Sequence, residues 1–370
     1  MKSKQAFLRD LVYKFTLYGD FLVGVPFGMG NVNDTYQLTF DQGGTRLHYI
    51  LQRINGNVFR DPRGVMENID RVTAHILGKI RAAHCETRKR TLRLLRNSEG
   101  KPYVVDEQGH YWRAYVFVEN ARAYEVLETP EQAYRIAEAF GAFQNQLVDL
   151  PGKRLNETIP DFHNTPKRFE RLEKAVKEDK FGRVKEVLPE IEFALSLKDE
   201  AGTLIRLNKS GDIPERITHN DTKSNNILID DLTGEGMCVL DLDTVMPGLS
   251  LYDFGDMVRS ATNSAGEDEV DCSKVWMRFD LYEALYRGFI SSAGGFMTAA
   301  EKENLPLSGK IITTEIGIRF LTDYLEGDTY FKIRRPKHNL ERCRNQFTLV
   351  KSITEQMAEM QKLAKDLGVR

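Results

Sequence analysis

The sequence predicts an α+β fold in two lobes, a small antiparallel-sheet lobe over residues 1–118 and a larger, mainly helical lobe over residues 119–370. Three observations predict it. Strand-like segments crowd the first third of the chain, and helical periodicity dominates from about residue 129 onward. The length of 370 residues exceeds what one ordinary core holds but suits two lobes around a cleft.

Residues 21–26, 36–40, 47–54, 103–105 and 111–118 combine β-branched and aromatic residues between Gly, Asp and Asn turns, among them Asp41-Gln42-Gly43-Gly44. They read as an antiparallel sheet. One helix interrupts it, with Asp61 at the N-cap, Pro62 at the first helical position and Met66, Ile69, Val72, Ile76 and Ile80 as its apolar stripe. In the second lobe Thr129-Pro130-Glu131-Gln132 is a capped helix start, followed by a core-facing stripe of Ile136, Phe140, Phe143 and Leu147. Asn164-Thr165-Pro166 opens another helix, and the alternating charges of residues 167–185 read as its solvated face. A final helix places Ile353, Met357, Met360, Leu363 and Leu367 on one side as packing residues.

The charge balance narrows the function. Fifty-two Lys and Arg against 54 Asp and Glu argue against a general nucleic-acid or anionic-membrane role, so the expected partner is a small molecule. No apolar run approaches membrane-spanning length and the opening residues lack a signal-peptide core, so the expectation is a cytoplasmic chain. Cys85, Cys238, Cys272 and Cys343 are scattered without metal-ligand spacing and read as free thiols.

The most informative stretch is His219-Asn220-Asp221-Thr222-Lys223-Ser224-Asn225-Asn226, an H-x-D-x-x-x-x-N pattern, followed across two short apolar strands by Asp241. Phosphoryl transfer requires a hydroxyl aligned with a γ-phosphoryl group whose charge is neutralised, so the protein supplies position and electrostatics. In that chemistry Asp221 is the base, while Asn226 and Asp241 are the hard oxygen ligands of Mg²⁺. Residues 227–229 and 237–240, joined by a polar turn, form a hairpin that returns Asp241 to Asn226. Asp253-Phe254-Gly255-Asp256 spells a second tempting motif, D-F-G, but it follows a loop and helix entry rather than a strand end, and is rejected as the metal site.

These residues, with Asp241-Leu242-Asp243, resemble the catalytic and metal loops of the aminoglycoside phosphotransferase and choline kinase superfamily, a branch of the protein-kinase fold. Within it, residues 30–36, 50–55, 219–226 and 239–248 are similar to the N-acetylhexosamine 1-kinases, a likeness spread over residues 25–345. The resemblance implies a bilobal protein-kinase-like fold and ATP- and Mg²⁺-dependent phosphorylation of the anomeric hydroxyl of N-acetylglucosamine or N-acetylgalactosamine. It implies that Asp253 braces the catalytic loop. It also places Asp221, Thr244, Arg319 and Tyr330 near the sugar, although Arg319 is equally placed to pair with Glu315 or Asp323 and Tyr330 to be a core aromatic.

On the nucleotide side, Gly28, Gly30 and Asn31 lie in a glycine-rich turn suited to cradling phosphates. Arg53 ends the strand where a kinase places its phosphate-contacting lysine, with Glu67 as its ion-pair candidate; a one-residue shift of register turns Gln52 inward instead. The backbone from Phe117 to Glu119 is the expected hinge for the adenine edge. Asp161 and His163 are expected in capping or loop roles, and the acidic run Glu267-Asp268-Glu269-Val270-Asp271 as a solvated loop. The alternatives are a kinase of a cationic acceptor such as choline or an aminoglycoside, which needs an acidic or aromatic pocket, and a nucleotide-binding pseudokinase, for which the retained Asp221, Asn226 and Asp241 give no reason.

Overall fold

The computed structural model describes residues 3–28, 32–83 and 91–368. Helix α1 (Lys4–Val12) precedes the strands β1 (Asp20–Pro26), β2 (Asp34–Gln42) and β3 (Thr45–Arg53), then α2 (Pro62–Ala82), β4 (Val104–Val105) and β5 (Tyr111–Val116). The five strands form one antiparallel sheet in the order β1-β2-β3-β5-β4. Strand alternation divides its residues between two faces. Leu38, Phe40, Tyr49, Leu51, Trp112 and Ala114 pack on Leu8, Leu11 and Val12 of α1, a helix absent from the sequence reading. Ile50 and Tyr115 lie on the opposite face, against Met66, Ile69 and Val72 of α2. The predicted start of α2 is present: Asp61 accepts the Gly64 N–H at 3.0 Å and Pro62 follows it.

After the two-residue strand β6 (Ala121–Arg122) the chain turns helical, with α3 (Pro130–Leu147), α4 (Thr165–Glu178), α5 (Leu188–Ser196), α6 (Lys198–Ala201) and α7 (Thr203–Ser210). Thr129 and Gln132 form the expected capping box at the head of α3. Four short strands follow, β7 (Arg216–Thr218), β8 (Ile227–Asp230), β9 (Gly236–Val239) and β10 (Met246–Gly248), and then α8 (Ser250–Ala261), α9 (Phe279–Ala293), α10 (Ala299–Leu325) and α11 (His338–Gly368). β7 pairs with β10, and β8 lies between β6 and β9, so the small sheets present their connecting loops toward α2 and the large sheet.

The main helical core joins Phe140 of α3, Phe254 of α8, Tyr282, Tyr286 and Phe289 of α9, and Ile353 and Met360 of α11. α8 and α10 approach so closely that a Cβ on Gly255 would lie 2.6 Å from the Ser308 carbonyl oxygen. The glycine of the D-F-G tripeptide is thus required by helix packing. Among the described residues no helix is long and apolar enough to cross a membrane.

Candidate active site

The catalytic loop hangs between β7 and β8 and is held by its backbone. Asp253 at the head of α8 accepts the N–H groups of His219 at 2.9 Å and Asn220 at 2.7 Å, takes a third bond from Gln144, and its carbonyl receives the Thr222 hydroxyl at 2.6 Å. This is the bracing role the resemblance implied. Asn220 adopts a left-handed φ of 66°, which asparagine tolerates better than most residues and which turns the chain out toward Asp221. The His219 ring packs between Phe140 and Phe143, donates from Nε2 to the Leu240 carbonyl at 2.7 Å, and accepts the Asp221 N–H at Nδ1. It is therefore a neutral structural imidazole that ties the catalytic loop to the metal loop.

Lys223 Nζ lies 2.9 Å from Asp221 Oδ1. Burial alone raises the Asp221 pKa, but the ammonium overcomes this and holds the carboxyl below its usual range, with Arg259 adding to the effect. Held as a carboxylate, Asp221 is able to accept a proton. Asn226 donates from Nδ2 to the Asp221 carbonyl at 2.8 Å, which leaves its Oδ1 as an acceptor for another partner.

Pairing of Ile227 with Val239, continued by the bond from Leu240 N to the Asn226 carbonyl at 2.8 Å, brings Asn226 and Asp241 to the same end of the β8–β9 hairpin. Asp241 takes a left-handed φ of 52° and is exposed. The surrounding protein, and the charges of Asp243 and Asp221, push its carboxyl up to about 6. Among the described residues no cluster of three or more His, Cys, Asp or Glu encloses a metal. One amide oxygen and one carboxylate fit Mg²⁺ that completes its shell with phosphate and water oxygens.

Two residues with the deepest structural commitment carried no assigned role in the sequence reading. Arg113 on β5 is 1 % exposed and makes a bidentate pair with Asp243, which also accepts Asn33 Nδ2 at 2.6 Å. Asn33 in turn accepts the Asn55 N–H, so the start of β2, the segment after β3, β5 and the metal loop meet at one carboxylate. The available signal was a lone arginine inside the otherwise apolar Tyr111–Val116 strand, since a buried charge demands a partner.

The expectation for Arg53 is corrected. Its cross-strand partners are Asp34 and Trp112, so it shares the α1-facing side of the sheet, and its guanidinium pairs with Asp34. Gln52 takes the other face, accepting Arg113 Nε at 3.0 Å and donating to Thr35 at 2.9 Å. Glu67 pairs with Lys153 at 2.9 Å rather than with Arg53. At the expected hinge the Phe117 N–H is already donated to the His48 carbonyl at 3.1 Å and is not free for a base edge. The Phe117 ring meets Phe27 from the glycine-rich turn at 5.8 Å, and Glu119 binds His48 Nδ1 at 2.7 Å. Gly28 has φ of +77°, a turn conformation that favours glycine; Gly30 and Asn31 lie outside the described residues.

On the acceptor side, Thr244 is engaged within the loops themselves. Its hydroxyl donates to the His219 carbonyl at 2.7 Å and its carbonyl accepts Asn220 Nδ2, so it joins the metal loop to the catalytic loop. Arg319 on α10 has neither of its candidate ion pairs. Glu315 instead accepts His163 Nδ1 at 2.9 Å and Thr165 Oγ1 at 2.7 Å, and Asp323 accepts the N–H groups of Thr329, Tyr330 and Phe331. By fixing that loop, Asp323 sets Tyr330 beside Arg319, whose guanidinium lies 5.4 to 5.8 Å from the ring centres of Phe162, Phe331 and Tyr330. Tyr330 is 53 % exposed and is not a core aromatic.

His163 exceeds the loop role expected of it. It donates from Nδ1 to Glu315 and from Nε2 to the Asn220 carbonyl, both at 2.9 Å, and so is an imidazolium. Burial opposes that charge, but Glu315 overcomes it and raises the His163 pKa. Asp161 pairs with Lys167 and Asn164, in keeping with a local role. The acidic run is not merely solvated: Glu267 pairs with Arg259, Asp268 with Arg342 and His338, and Glu269 with Lys274.

Comparison with known proteins agrees with this architecture. The family described as "Phosphotransferase enzyme family" matches residues 23–273. Among solved structures, an aminoglycoside phosphotransferase from Alicyclobacillus acidocaldarius superposes with a TM-score of 0.60 at 14 % identity, covering 97 % of this chain and 96 % of that one. A choline kinase from Cryptosporidium parvum gives 0.56 at 12 % identity, covering 94 % and 93 %. Spectinomycin phosphotransferase in complex with ADP and spectinomycin gives 0.54 at 12 %, covering 99 % and 100 %. At these identities the likeness establishes the kinase-like α+β fold.

Proposed function

The chain belongs to the phosphotransferase enzyme family, and from that premise we propose that it transfers the γ-phosphoryl group of ATP to the anomeric C1 hydroxyl of an N-acetylhexosamine, giving the sugar 1-phosphate. The observation that carries the choice of acceptor is Arg319. It is a guanidinium framed by Phe162, Tyr330 and Phe331, with no carboxylate paired to it among the described residues. A cationic acceptor needs a free carboxylate or an empty aromatic cage. Here the cage already holds a cation, and Glu267, Asp268 and Glu269 are each paired. Guanidinium N–H groups and the Tyr330 hydroxyl suit neutral sugar oxygens. Arg319 follows Glu315 by one helical turn, and Glu315 reaches the catalytic loop through His163, which connects this surface to the base.

In this reading Asp221 orients the C1 hydroxyl and takes its proton. Asn226 and Asp241 hold Mg²⁺, which neutralises charge on the β- and γ-phosphates. The interval between 1–118 and 119–370 forms the nucleotide cleft, with the Phe27–Phe117 contact at its mouth. The test is ATP consumption with Mg²⁺ across free sugars, N-acetylhexosamines, choline and aminoglycosides, with phosphorus NMR of the product. An anomeric phosphate formed from N-acetylhexosamines is expected; turnover of choline or an aminoglycoside alone would overturn the acceptor assignment. Asp221→Asn should fold normally and lose about 10²- to 10⁴-fold in kcat, and a near-wild-type rate would remove Asp221 as the base.

A further inference from the structure

We propose that His163 is a positioning residue for Asp221, acting through the Asn220 carbonyl, and that its pairing with Glu315 makes turnover fall at alkaline pH. The inference rests on the phosphotransfer reading, with Asp221 as base, but not on the identity of the acceptor. A peptide unit is planar, so the Asn220 carbonyl and the Asp221 N–H move as one body that carries the Asp221 Cα. Two imidazoles hold that plane from opposite ends. His163 Nε2 donates to the Asn220 carbonyl oxygen at 2.9 Å, and the Asp221 N–H donates to His219 Nδ1 at 3.3 Å. Asn220 is itself left-handed, with φ of 66°, and its N–H and side chain are tied to Asp253 and Thr244. The hold on the carbonyl is the one supplied by the segment before α4.

The surroundings of His163 determine when it can donate from both nitrogens. On α10, Glu315 accepts the Nδ1–H at 2.9 Å and takes the Thr165 hydroxyl at 2.7 Å. On α8, the Tyr252 ring lies 5.0 Å away with its hydroxyl kept neutral by burial, and the charge of Asp256 favours the imidazolium. Phe162 packs on the imidazole at 4.7 Å. Burial works against the charge of Glu315, but His163, Arg168 on α4 and Arg319 on α10 outweigh it and keep Glu315 a carboxylate.

A neutral histidine has a single N–H. When the imidazolium titrates, that proton stays on Nδ1, where the acceptor is a carboxylate rather than a neutral carbonyl. Nε2 then turns a lone pair toward the Asn220 oxygen, and the peptide plane ahead of Asp221 loses one of its two holds. Glutamine at position 315 inverts the choice. Its amide oxygen can take the Thr165 hydroxyl while its NH₂ donates to Nδ1, so a neutral His163 keeps its proton on Nε2 and stays bonded to Asn220 at every pH.

The experiment follows kcat at saturating ATP, Mg²⁺ and acceptor from pH 6 to pH 10, using whichever acceptor class the wild type turns over. It compares wild type, Glu315→Gln, and His163→Phe combined with Glu315→Gln. Burial opposes the His163 charge and Glu315 outweighs it, so wild-type kcat should fall along a limb centred above the ordinary histidine value of 6.5. Glu315→Gln should lack that limb, with a ratio of kcat at pH 10 to kcat at pH 7 at least fivefold that of wild type. The double variant has neither the donor nor a stranded carboxylate. It should fold, as read by near-ultraviolet circular dichroism, and keep its KM for ATP within threefold. Its kcat should fall about tenfold or more below that of Glu315→Gln at every pH, since misplacing a reacting group by about 1 Å costs about 100-fold. A Glu315→Gln variant that retains the wild-type limb, a wild type without one, or a folded double variant as fast as Glu315→Gln would each overturn the proposal. If the double variant does not fold, the Glu315→Gln profile decides alone. A limb that Glu315→Gln abolishes with choline or an aminoglycoside as acceptor supports the role of His163 while removing the sugar assignment. A wild type that turns over no acceptor of any class would end the phosphotransfer reading and this inference with it.

Discussion

Replacing Arg113 with methionine tests how strongly the metal loop depends on a single buried pair. The side chain is 1 % exposed, bidentate to Asp243 and bonded through Nε to Gln52. Methionine fills much of its volume but leaves Asp243 buried as a carboxylate with Asn33 as its remaining side-chain donor. Breaking a buried pair from one side costs about 3–5 kcal/mol, because the surviving charge is left uncompensated. With an m value of about 3 kcal/mol/M, the urea midpoint should fall by about 1 M or more. Arg113→Met combined with Asp243→Asn removes that stranded charge and should recover part of the loss. Because Arg113 also lowers the Asp241 pKa, the single variant should bind Mg²⁺ less well near neutral pH even where it remains folded. A midpoint corresponding to less than about 1 kcal/mol of change, or a double variant as unstable as the two singles added, would refute the reasoning.

Three further outcomes follow from the same geometry. The Asp241 carboxyl, pushed up to about 6, must lose its proton to bind metal. Its folded pKa exceeds its unfolded one, so its ionisation destabilises the metal-free protein as pH rises toward and through about 6, and Mg²⁺ reverses that cost. The thermal stabilisation produced by Mg²⁺ with ADP should accordingly be larger at pH 7.5 than at pH 5, and an equal or inverted response contradicts the assignment. Arg319→Met should raise the KM for the acceptor tenfold or more with the KM for ATP unchanged, as read by initial rates; parallel changes in both would remove Arg319 from the acceptor surface. His163 has a raised folded pKa, so the stability it contributes is fully present below pH 6.5 and is lost as pH rises through the folded value. The groups facing it are Glu315, Thr165 through Glu315, Tyr252 and Asp256. The stability gap between wild type and His163→Gln, from urea melts, should be widest below pH 6.5 and narrow above it.

Legibility from sequence depended on whether a role resided in local spacing or in register between distant segments. The loop carrying His219 and Asp221, the β8–β9 hairpin, the α2 cap and the strands were legible because each is written in a short run whose period or spacing is dictated by local geometry. Arg53 shows where this stops. Its strand was recognised, but inward and outward positions differ by a single residue, and only pairing with Asp34 and Trp112 decides the face. The bond that holds Thr244 is hidden for a related reason, because its place just after Asp241 says nothing of the His219 carbonyl 25 residues away that accepts the hydrogen bond of its hydroxyl. The α1 helix escaped because the nine residues Lys4–Val12 carry only a partial apolar face, whose meaning appears when the sheet supplies Leu38, Phe40 and Trp112 opposite it. Arg113 and Asp243 are 130 positions apart, as far beyond local spacing as the His163–Glu315 bond at 152. Such links tie β5 to the segment after β9 and, through His163, α10 to the loop after β7, so the partners that hold the loop around Asp221 are harder to read in the sequence than the loop motif itself.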